Sequence, residues 1–235
     1  MKVEIWSDVV CPFCYIGKRK FEDALSQFRN ADDIEIAWKS FQLAPDMKTE
    51  PNKNLHQFLA EHKGMSLQQA IIASDQIANI ARQVGLVYNF DKAIPANSFD
   101  ANRFSHLAKH HELHDEAEES LFKAYFTEGR NIDDIPTLIL LGREIGLDPT
   151  EVKAVLESNR YADEVRQDIY ELRQVGVASV PFFVFDGKLS ISGAQDSKAF
   201  LEALEKTFAE WQNKNAALKP MVTDDNFCKM GEDCK

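Results

Sequence analysis

Cys11-Pro12-Phe13-Cys14 is the stretch of sequence that decides the fold. It follows an alternating apolar run that starts at Val3, and it opens a segment with the spacing of a helix. Two cysteines separated by two residues, where a strand passes into a helix, have the arrangement of a redox-active dithiol. The first turn of a helix has unpaired N–H groups and the positive end of the helix dipole, which stabilise a thiolate. Proline suits the first helical position because its missing N–H would be unpaired there in any case.

The helical spacing after the motif separates the roles of the two cysteines. Cys14 lies on the same predicted helical face as Gly17, Phe21 and Phe28, so we expect it to point towards the core. Cys11 is expected at the exposed tip of the helix. We therefore predict that Cys11 is the nucleophile and that Cys14 is the buried thiol that resolves the mixed disulfide. The alternatives are two reduced structural cysteines or half of a zinc site, which would need about two further ligands.

The composition is that of an acidic, globular protein. The chain has 235 residues, a net charge of −11 and 44% apolar residues. No basic stripe is present, which argues against nucleic acid and anionic membranes as partners. The first residues enter a strand without the pattern of a secretory signal, and no apolar stretch is long enough to span a bilayer. The sequence therefore predicts a cytoplasmic protein, in which paired cysteines are more often catalytic than structural.

The predicted elements divide the chain into three parts. Residues 1–50 have the pattern of strand, helix and strand, and residues 176–212 that of a β-hairpin followed by an amphipathic helix. Residues 51–175 between them are predicted to be wholly helical, and residues 213–235 form a polar tail. The predicted helices of the middle part cover residues 53–62, 66–84, 98–112, 115–128, 134–145 and 162–175, with a further helix that starts at Pro149. The fold class is therefore α/β, in the order βαβ, helical insertion, ββα.

Val180-Pro181 is the second element that carries chemistry. A βαβ…ββα order with a cysteine pair after the first strand resembles the thioredoxin fold. This resemblance implies a cis proline at the start of the third strand, facing the cysteines, and Pro181 has that place. A cis bond before proline costs only about 0.5–1 kcal/mol relative to trans. The backbone of Val180 would then be open for an extended substrate peptide beside Cys11. The alternative is an ordinary edge-strand proline that starts a hairpin.

Further stretches narrow the resemblance. Ser7-Asp8-Val9-Val10 ahead of the motif, the proline after the first cysteine and the helical insertion resemble the DsbA-like group. Four stretches of the chain also resemble recurring stretches of the FrnE-like subgroup of that group: residues 97–103, 125–130, 180–184 and 192–195. The likeness covers residues 1–212. It implies thiol–disulfide exchange on protein substrates with disulfide isomerase activity. It also implies no bound cofactor, and a thiol reductant such as glutathione or a thioredoxin system as partner.

Two other functions remain open. The same superfamily contains glutathione-dependent isomerases of the 2-hydroxychromene-2-carboxylate type and kappa-class transferases, which carry serine at the place of Cys11. The intact pair argues against them. A holdase-like binding module would use the apolar surface of the insertion and none of the cysteines. Replacing Cys11 by serine separates these functions, because only the oxidoreductase requires that sulfur in every turnover.

Three residues beside the cysteines are predicted to tune the site: Pro12, Phe13 and Asp8. A histidine between the cysteines would donate a hydrogen bond to the thiolate and stabilise the reduced form, but Phe13 has no such donor. We therefore predict a reduction potential between about −270 and −120 mV, the values of thioredoxin and DsbA, which suits an isomerase or a reductase. Asp8 either acts on the site, as a proton acceptor or by opposing formation of the thiolate, or is a loop carboxylate bound by backbone N–H groups.

The tail carries a second cysteine pair, Cys228 and Cys234. FrnE-like proteins resemble it in having a second pair near the C-terminus, with four intervening residues where this chain has five. Three interpretations stay open. The pair exchanges electrons with Cys11 and Cys14, or it is a disulfide that pins the tail, or the two thiols are incidental or bind a soft metal ion.

Several polar residues of the insertion have a spacing or charge that invites a functional interpretation. His106, His110 and His114 recur every four residues on a predicted helix. Their charged neighbours, such as Lys109, indicate a solvated face, and we predict no metal site. Arg103 is expected either to bind a carboxylate, such as that of glutathione, or to form a surface charge pair.

Overall fold

The structure is a computed structural model that describes residues 1–215, and Cys228 and Cys234 lie outside the described residues. The strands of the described chain are β1 (Lys2–Ser7), β2 (Glu35–Ser40), β3 (Phe182–Phe185) and β4 (Leu189–Ser192). They form one mixed sheet in the order β2-β1-β3-β4. β1 is parallel to β2 and antiparallel to β3, and β3 is antiparallel to β4. This is the thioredoxin-like sheet that the sequence predicted.

Helices cover both the sheet and the long segment between β2 and β3. They are α1 (Pro12–Gln27), α2 (Leu55–Lys63), α3 (Leu67–Gln83), α4 (Phe99–His110), α5 (His114–Phe122), α6 (Ile135–Glu144), α7 (Pro149–Leu156), α8 (Ala162–Gln174) and α9 (Ser197–Asn215), with a 3₁₀ turn at Ala31–Asp33. α2 to α8 all lie between β2 and β3, where the sequence predicted a helical insertion. None of the described helices is long and apolar enough to cross a lipid bilayer.

The helix predicted over residues 115–128 is present, but it is not an α-helix along its whole length. α5 ends at Phe122, and the chain continues as a π-helical turn, Lys123–Glu128. Gly129 ends this turn with a φ of 71°, a left-handed conformation that glycine adopts without steric cost. The apolar spacing of a π-helical turn differs too little from that of an α-helix to be recognised in one sequence. Such turns are often found at functional sites.

One face of the sheet is covered by α1 and α9. Alternate residues of a strand point to opposite faces, so Val3 and Ile5 of β1 both enter this core. Aromatic rings fill the space between the sheet and the two helices. The ring centroids of Phe183 and Phe200 are 4.6 Å apart, and those of Phe21 and Phe200 are 5.8 Å apart. This packing fixes α1, and with it the start of α1, against the sheet.

The other face of the sheet binds the insertion through Asp168 of α8. The backbone carbonyl of Asp168 accepts a hydrogen bond from Nε1 of Trp6 at 2.9 Å. Its carboxylate accepts from the backbone N–H of Ser40 at 2.9 Å and lies 3.1 Å from Nε2 of His106. Lys39 completes the set, with Nζ 3.1 Å from the same carboxylate. One buried carboxylate thus joins α8 to β2 and α4, while its backbone joins α8 to β1.

The prediction of a solvated histidine face is wrong for two of its members. His106 is buried, and its Nε2 lies 3.1 Å from Oγ of Ser40. His114 is largely covered, and burial lowers its pKa to about 3. The reason is that α5 and α8 both pack against α4, which carries His106, while His114 is the first residue of α5 and lies beside His106, with ring centroids 6.4 Å apart.

Arg103 forms a charge pair, with Nη1 2.7 Å from Oδ1 of Asp100, but the pair is not at the surface and the guanidinium is not free to bind a ligand. Its side chain is buried, and its guanidinium donates hydrogen bonds to the backbone carbonyls at and just after the end of α7. The accepting residues are Val155, Leu156, Ser158 and Arg160. Carbonyls at the end of a helix have no partner within the helix, so Arg103 satisfies them.

Candidate active site

The two cysteines of the motif lie at the start of α1, as the sequence predicted. Cys11 is the residue that precedes the helix, with φ −90° and ψ 111°, and Pro12 has the first helical position. The tight turn between β1 and α1 is held by two backbone hydrogen bonds. The N–H of Cys11 donates to the carbonyl of Asp8 at 2.9 Å, and the N–H of Cys14 donates to the carbonyl of Cys11 at 3.0 Å.

Val180 and Pro181 lie beside this helix start, in the segment that leads into β3. The peptide bond between them is cis, as predicted. Sγ of Cys11 donates a hydrogen bond to the carbonyl of Val180, with a distance of 3.6 Å. Pro181 packs on α1 at Gly17, where a Cβ atom would lie 3.1 Å from Cγ of the proline. The fold therefore brings together cysteines and a proline that are about 170 positions apart in the chain.

The expected exposure of Cys11 is wrong. Cys11 is only 4% exposed and Cys14 is 1% exposed, so both sulfurs are enclosed. Phe13, between them, is 40% exposed. Tyr88 belongs to the same buried cluster as both cysteines, and its hydroxyl donates a hydrogen bond to the carbonyl of Pro12 between them. Tyr88 lies in the loop between α3 and α4 and was not singled out from the sequence, because no motif in that loop marks it.

The environment of Cys14 keeps its thiol protonated. Burial raises the pKa of Cys14 well above its usual range, and a hydrogen bond to the sulfur of Cys11 raises it further. The backbone N–H of Asp8 and the side chain of Ser7 act in the opposite direction but do not outweigh burial. Cys14 therefore remains a thiol that can donate a hydrogen bond to the sulfur of Cys11.

Asp8 is held inside the loop between β1 and α1. Its carboxylate is fully buried and accepts hydrogen bonds from the backbone N–H groups of Leu43 at 2.7 Å and Val10 at 3.3 Å. Burial raises the pKa of Asp8 to about 6, although these hydrogen bonds and Ser98 lower it. These contacts are those of a loop carboxylate bound by backbone N–H groups.

The arrangement is suited to sulfur chemistry. Among residues 1–215, no three His, Cys, Asp or Glu side chains are grouped closely enough to hold a metal ion. The described site offers instead a buried dithiol at a helix start, with one sulfur bonded to the backbone next to a cis proline. Such a pair can attack a disulfide and resolve the product.

Comparison with known proteins identifies the family. A protein-family model described as a DSBA-like thioredoxin domain matches residues 2–205. The chain belongs to the DsbA-like family. The protein YwbO of Bacillus subtilis (strain 168), which is described as uncharacterized, is 31% identical to this DsbA-like protein over 214 residues, which are 90% of this chain and 98% of YwbO.

Two solved structures place the DsbA-like chain among its structural neighbours. The probable DsbA oxidoreductase SCO1869 from Streptomyces coelicolor is 37% identical, with a TM-score of 0.83, over 89% of this chain and 91% of that one. A 2-hydroxychromene-2-carboxylate isomerase is 17% identical, with a TM-score of 0.64, over 92% of this chain and 98% of that one. At that identity the second likeness shows the fold alone. The fold is therefore shared by enzymes of different chemistry, and the side chains of the site must decide between them.

Proposed function

We propose that this DsbA-like protein is a thiol–disulfide oxidoreductase of the FrnE-like subgroup that acts as a protein disulfide isomerase. The observation that carries the proposal is the hydrogen bond from Sγ of Cys11 to the carbonyl of Val180, next to cis Pro181 and to the protonated Cys14. This geometry supplies an attacking sulfur, a resolving thiol and a backbone edge for substrate. The likeness to SCO1869 supports the same class of reaction.

The first step is attack by the thiolate of Cys11 on a substrate disulfide. A new sulfur–sulfur bond forms between Cys11 and the substrate, the substrate disulfide breaks, and one substrate thiolate leaves. The Cys14 thiol stabilises the Cys11 thiolate by donating to it. The N–H groups of the first turn of α1 add to this stabilisation. Once Cys11 has lost its proton, the carbonyl of Val180 is released from the hydrogen bond and can pair with the backbone of the substrate.

The mixed disulfide has two ways to break. In isomerisation, another substrate thiolate attacks the substrate sulfur, a different substrate disulfide forms, and Cys11 leaves as a thiolate. In reduction, Cys14 loses its proton and attacks Cys11, which forms the Cys11–Cys14 disulfide and releases the second substrate thiolate. Two electrons then pass from the dithiol to the substrate. A thiol reductant such as glutathione or a thioredoxin system would restore the dithiol, which suits the reducing conditions of the cytoplasm.

The second cysteine pair is proposed to assist this cycle. Cys228 and Cys234 would exchange with the Cys11–Cys14 disulfide and so pass electrons between the site and its reductant. The support is the occurrence of two cysteine pairs in one chain of this family, as the FrnE-like resemblance implies.

Reactivation of scrambled ribonuclease in a glutathione buffer tests the proposal. The intact protein is expected to accelerate reactivation, and the Cys11→Ser variant is expected to match the buffer alone. A variant with Cys228→Ser and Cys234→Ser is expected to retain the attack step and to recycle more slowly. Intact protein that does no better than buffer would overturn the isomerase proposal and direct attention to glutathione-dependent chemistry on small molecules.

A further inference from the structure

Tyr88 makes a direct contact between the helical insertion and the active-site motif. It lies in the α3–α4 loop (residues 84–98) and is only 7% exposed. Its hydroxyl donates a hydrogen bond to the backbone carbonyl of Pro12 with a distance of 2.7 Å. In an α-helix this carbonyl is already the acceptor for the N–H four residues on. The bond from Tyr88 is therefore additional to those that the helix needs.

The ring of Tyr88 is held by aromatic neighbours on several sides. It stacks on Tyr15 of α1, with ring centroids 6.2 Å apart, and on Phe126, with centroids 4.6 Å apart. Phe90 meets it edge-on at 5.4 Å. These contacts remain if the hydroxyl alone is removed, so the hydrogen bond to Pro12 can be tested separately from the packing.

The loop around Tyr88 is anchored to the π-helical turn. The backbone N–H of Asn89 donates to the carbonyl of Phe126 at 2.7 Å, and its side-chain amide donates to the carbonyl of Thr127 at 2.6 Å. The hydroxyl of Thr127 in turn donates to the carbonyl of Val87 at 2.7 Å. The residues on either side of Tyr88 are therefore fixed to the insertion, and the Tyr88 hydroxyl makes a side-chain bond from this loop to the active-site motif.

Tyr88 lies close to the nucleophile as well as to Pro12, because the charges of both cysteines act on its hydroxyl. Cys11 is 4% exposed, although a disulfide must reach its sulfur for exchange. Burial, followed by the charges of Tyr15, Cys11 and Cys14, raises the pKa of Tyr88 well above its usual value. The hydroxyl therefore stays protonated, and remains a donor, throughout the pH range of thiol–disulfide exchange.

From these contacts we infer that Tyr88 is a positioning residue that holds the α3–α4 loop closed over Cys11 and thereby selects substrates by size. The inference rests on the proposed thiol–disulfide exchange. Small disulfides reach Cys11 while the loop is closed, whereas a bulky protein disulfide reaches it only when the bond between Tyr88 and Pro12 has opened. The specificity of the site is then set by a hydroxyl that takes no part in the sulfur chemistry.

Alkylation of Cys11 by two reagents of different size tests the inference. The reduced full chain is treated with iodoacetamide or with a maleimide that carries a polyethylene glycol chain, and modification of Cys11 is followed by mass spectrometry. Tyr88→Phe is expected to accelerate the reaction with the large maleimide about 2- to 10-fold, the effect of losing one hydrogen bond. The rate of reaction with iodoacetamide is expected to stay within about twofold of that of the intact protein, which is the lower end of the same range. Tyr170→Phe removes the same atom from a tyrosine that is 57% exposed on α8, and should change neither rate.

Two results would overturn the inference. The first is an equal acceleration of both reagents by Tyr88→Phe, which would indicate general loosening rather than size selection. The second is no change for either reagent. Alkylation needs no turnover, so it reports on the loop even if ribonuclease reactivation fails. Where the proposed function holds, Tyr88→Phe is also expected to raise turnover of scrambled ribonuclease relative to turnover of glutathione disulfide.

Discussion

Replacing Asp168 by asparagine should weaken the attachment of the insertion to the sheet. The Asp168 carboxylate accepts from the N–H of Ser40, lies 3.1 Å from Nε2 of His106 and lies 3.1 Å from Nζ of Lys39. An asparagine of the same shape retains one oxygen, which can still accept from Ser40. That oxygen then stays beside His106 as well, since both residues contact Oδ2, and the amide nitrogen takes the place of Oδ1, where it faces Nζ of Lys39 without an acceptor.

The size of the effect follows from the burial of this group. The side chain of Asp168 is 7% exposed and that of Lys39 is 13% exposed, so water cannot replace the lost interactions. Removing one partner from a buried ion pair costs about 3–5 kcal/mol. Because the asparagine keeps the bond to Ser40, we expect the lower end, a loss of about 3 kcal/mol in the free energy of unfolding. That would be a large fraction of the stability of a typical domain.

The effect should depend on pH in a defined direction. Burial alone would raise the pKa of Asp168, but His106, the N–H of Ser40 and Lys39 together hold it below its usual value. A carboxyl with a lowered pKa in the folded state contributes stability above its unfolded pKa, and this contribution is lost as the pH falls through the folded value. The difference between the intact protein and Asp168→Asn should therefore be full at pH 7 and become smaller below about pH 4.

Urea unfolding at pH 7 and at about pH 3, which is below the unfolded pKa of an aspartate, measures this effect, with Glu171→Gln as the matched control. Glu171 also binds Lys39, at 2.6 Å, but its side chain is 39% exposed. Its loss should cost less than about 1 kcal/mol, as for other pairs in contact with water. Equal losses for the two variants, or a loss for Asp168→Asn that does not change with pH, would refute the reasoning.

Three further predictions concern the site and its surroundings. Gly17→Val should cost about 1–3 kcal/mol in urea unfolding and reduce ribonuclease reactivation, because even a Cβ would lie 3.1 Å from Cγ of Pro181; unchanged activity would contradict this. Burial raises the pKa of Glu118 to about 7, so its ionisation opposes folding. Glu118→Gln should therefore stabilise the protein in urea unfolding by about 3 kcal/mol at pH 8 but little at pH 4. An equal effect at both pH values would contradict this. Phe13→His should raise the reduction potential by roughly 30–60 mV in a glutathione titration, the value of one charged hydrogen bond to the thiolate; a lower potential would be contrary to expectation.

The dithiol and the cis proline could be predicted because their signals are short in sequence. A strand, two cysteines and a helix follow one another within the first 27 residues, and Pro181 directly precedes a strand. Backbone geometry and apolar spacing decide such features locally, and the family resemblance then related Pro181 to the cysteines. The strands of the sheet and the helices of the insertion could be predicted in the same way, from the local spacing of apolar residues.

The enclosure of Cys11 could not be predicted, because it depends on contacts between distant parts of the chain. Apolar spacing describes which face of α1 is buried, but it does not show what lies over the start of the helix. Tyr88, whose hydroxyl binds the carbonyl of Pro12, is 76 residues away from it in the sequence. Its loop has no recognisable motif, so nothing in one sequence relates it to the cysteines.

The buried polar residues of the insertion were misjudged for a related reason. Charged neighbours indicate a solvated face when a helix is considered alone, yet α4 is covered on several sides by α5, α7 and α8. His106 and Arg103 are buried because each finds its hydrogen-bond partners on other elements. Only the assembled fold shows those partners.

The most direct test of the account is to trap the mixed disulfide in a Cys14→Ser variant. The reduced full chain is mixed with scrambled ribonuclease, and the cysteine that carries the covalent adduct is identified by mass spectrometry. The account predicts a stable adduct on Cys11, because the attacking sulfur is present and the thiol that resolves the intermediate is missing. An adduct confined to Cys228 or Cys234, or an equally stable adduct on Cys14 in the Cys11→Ser variant, would contradict it.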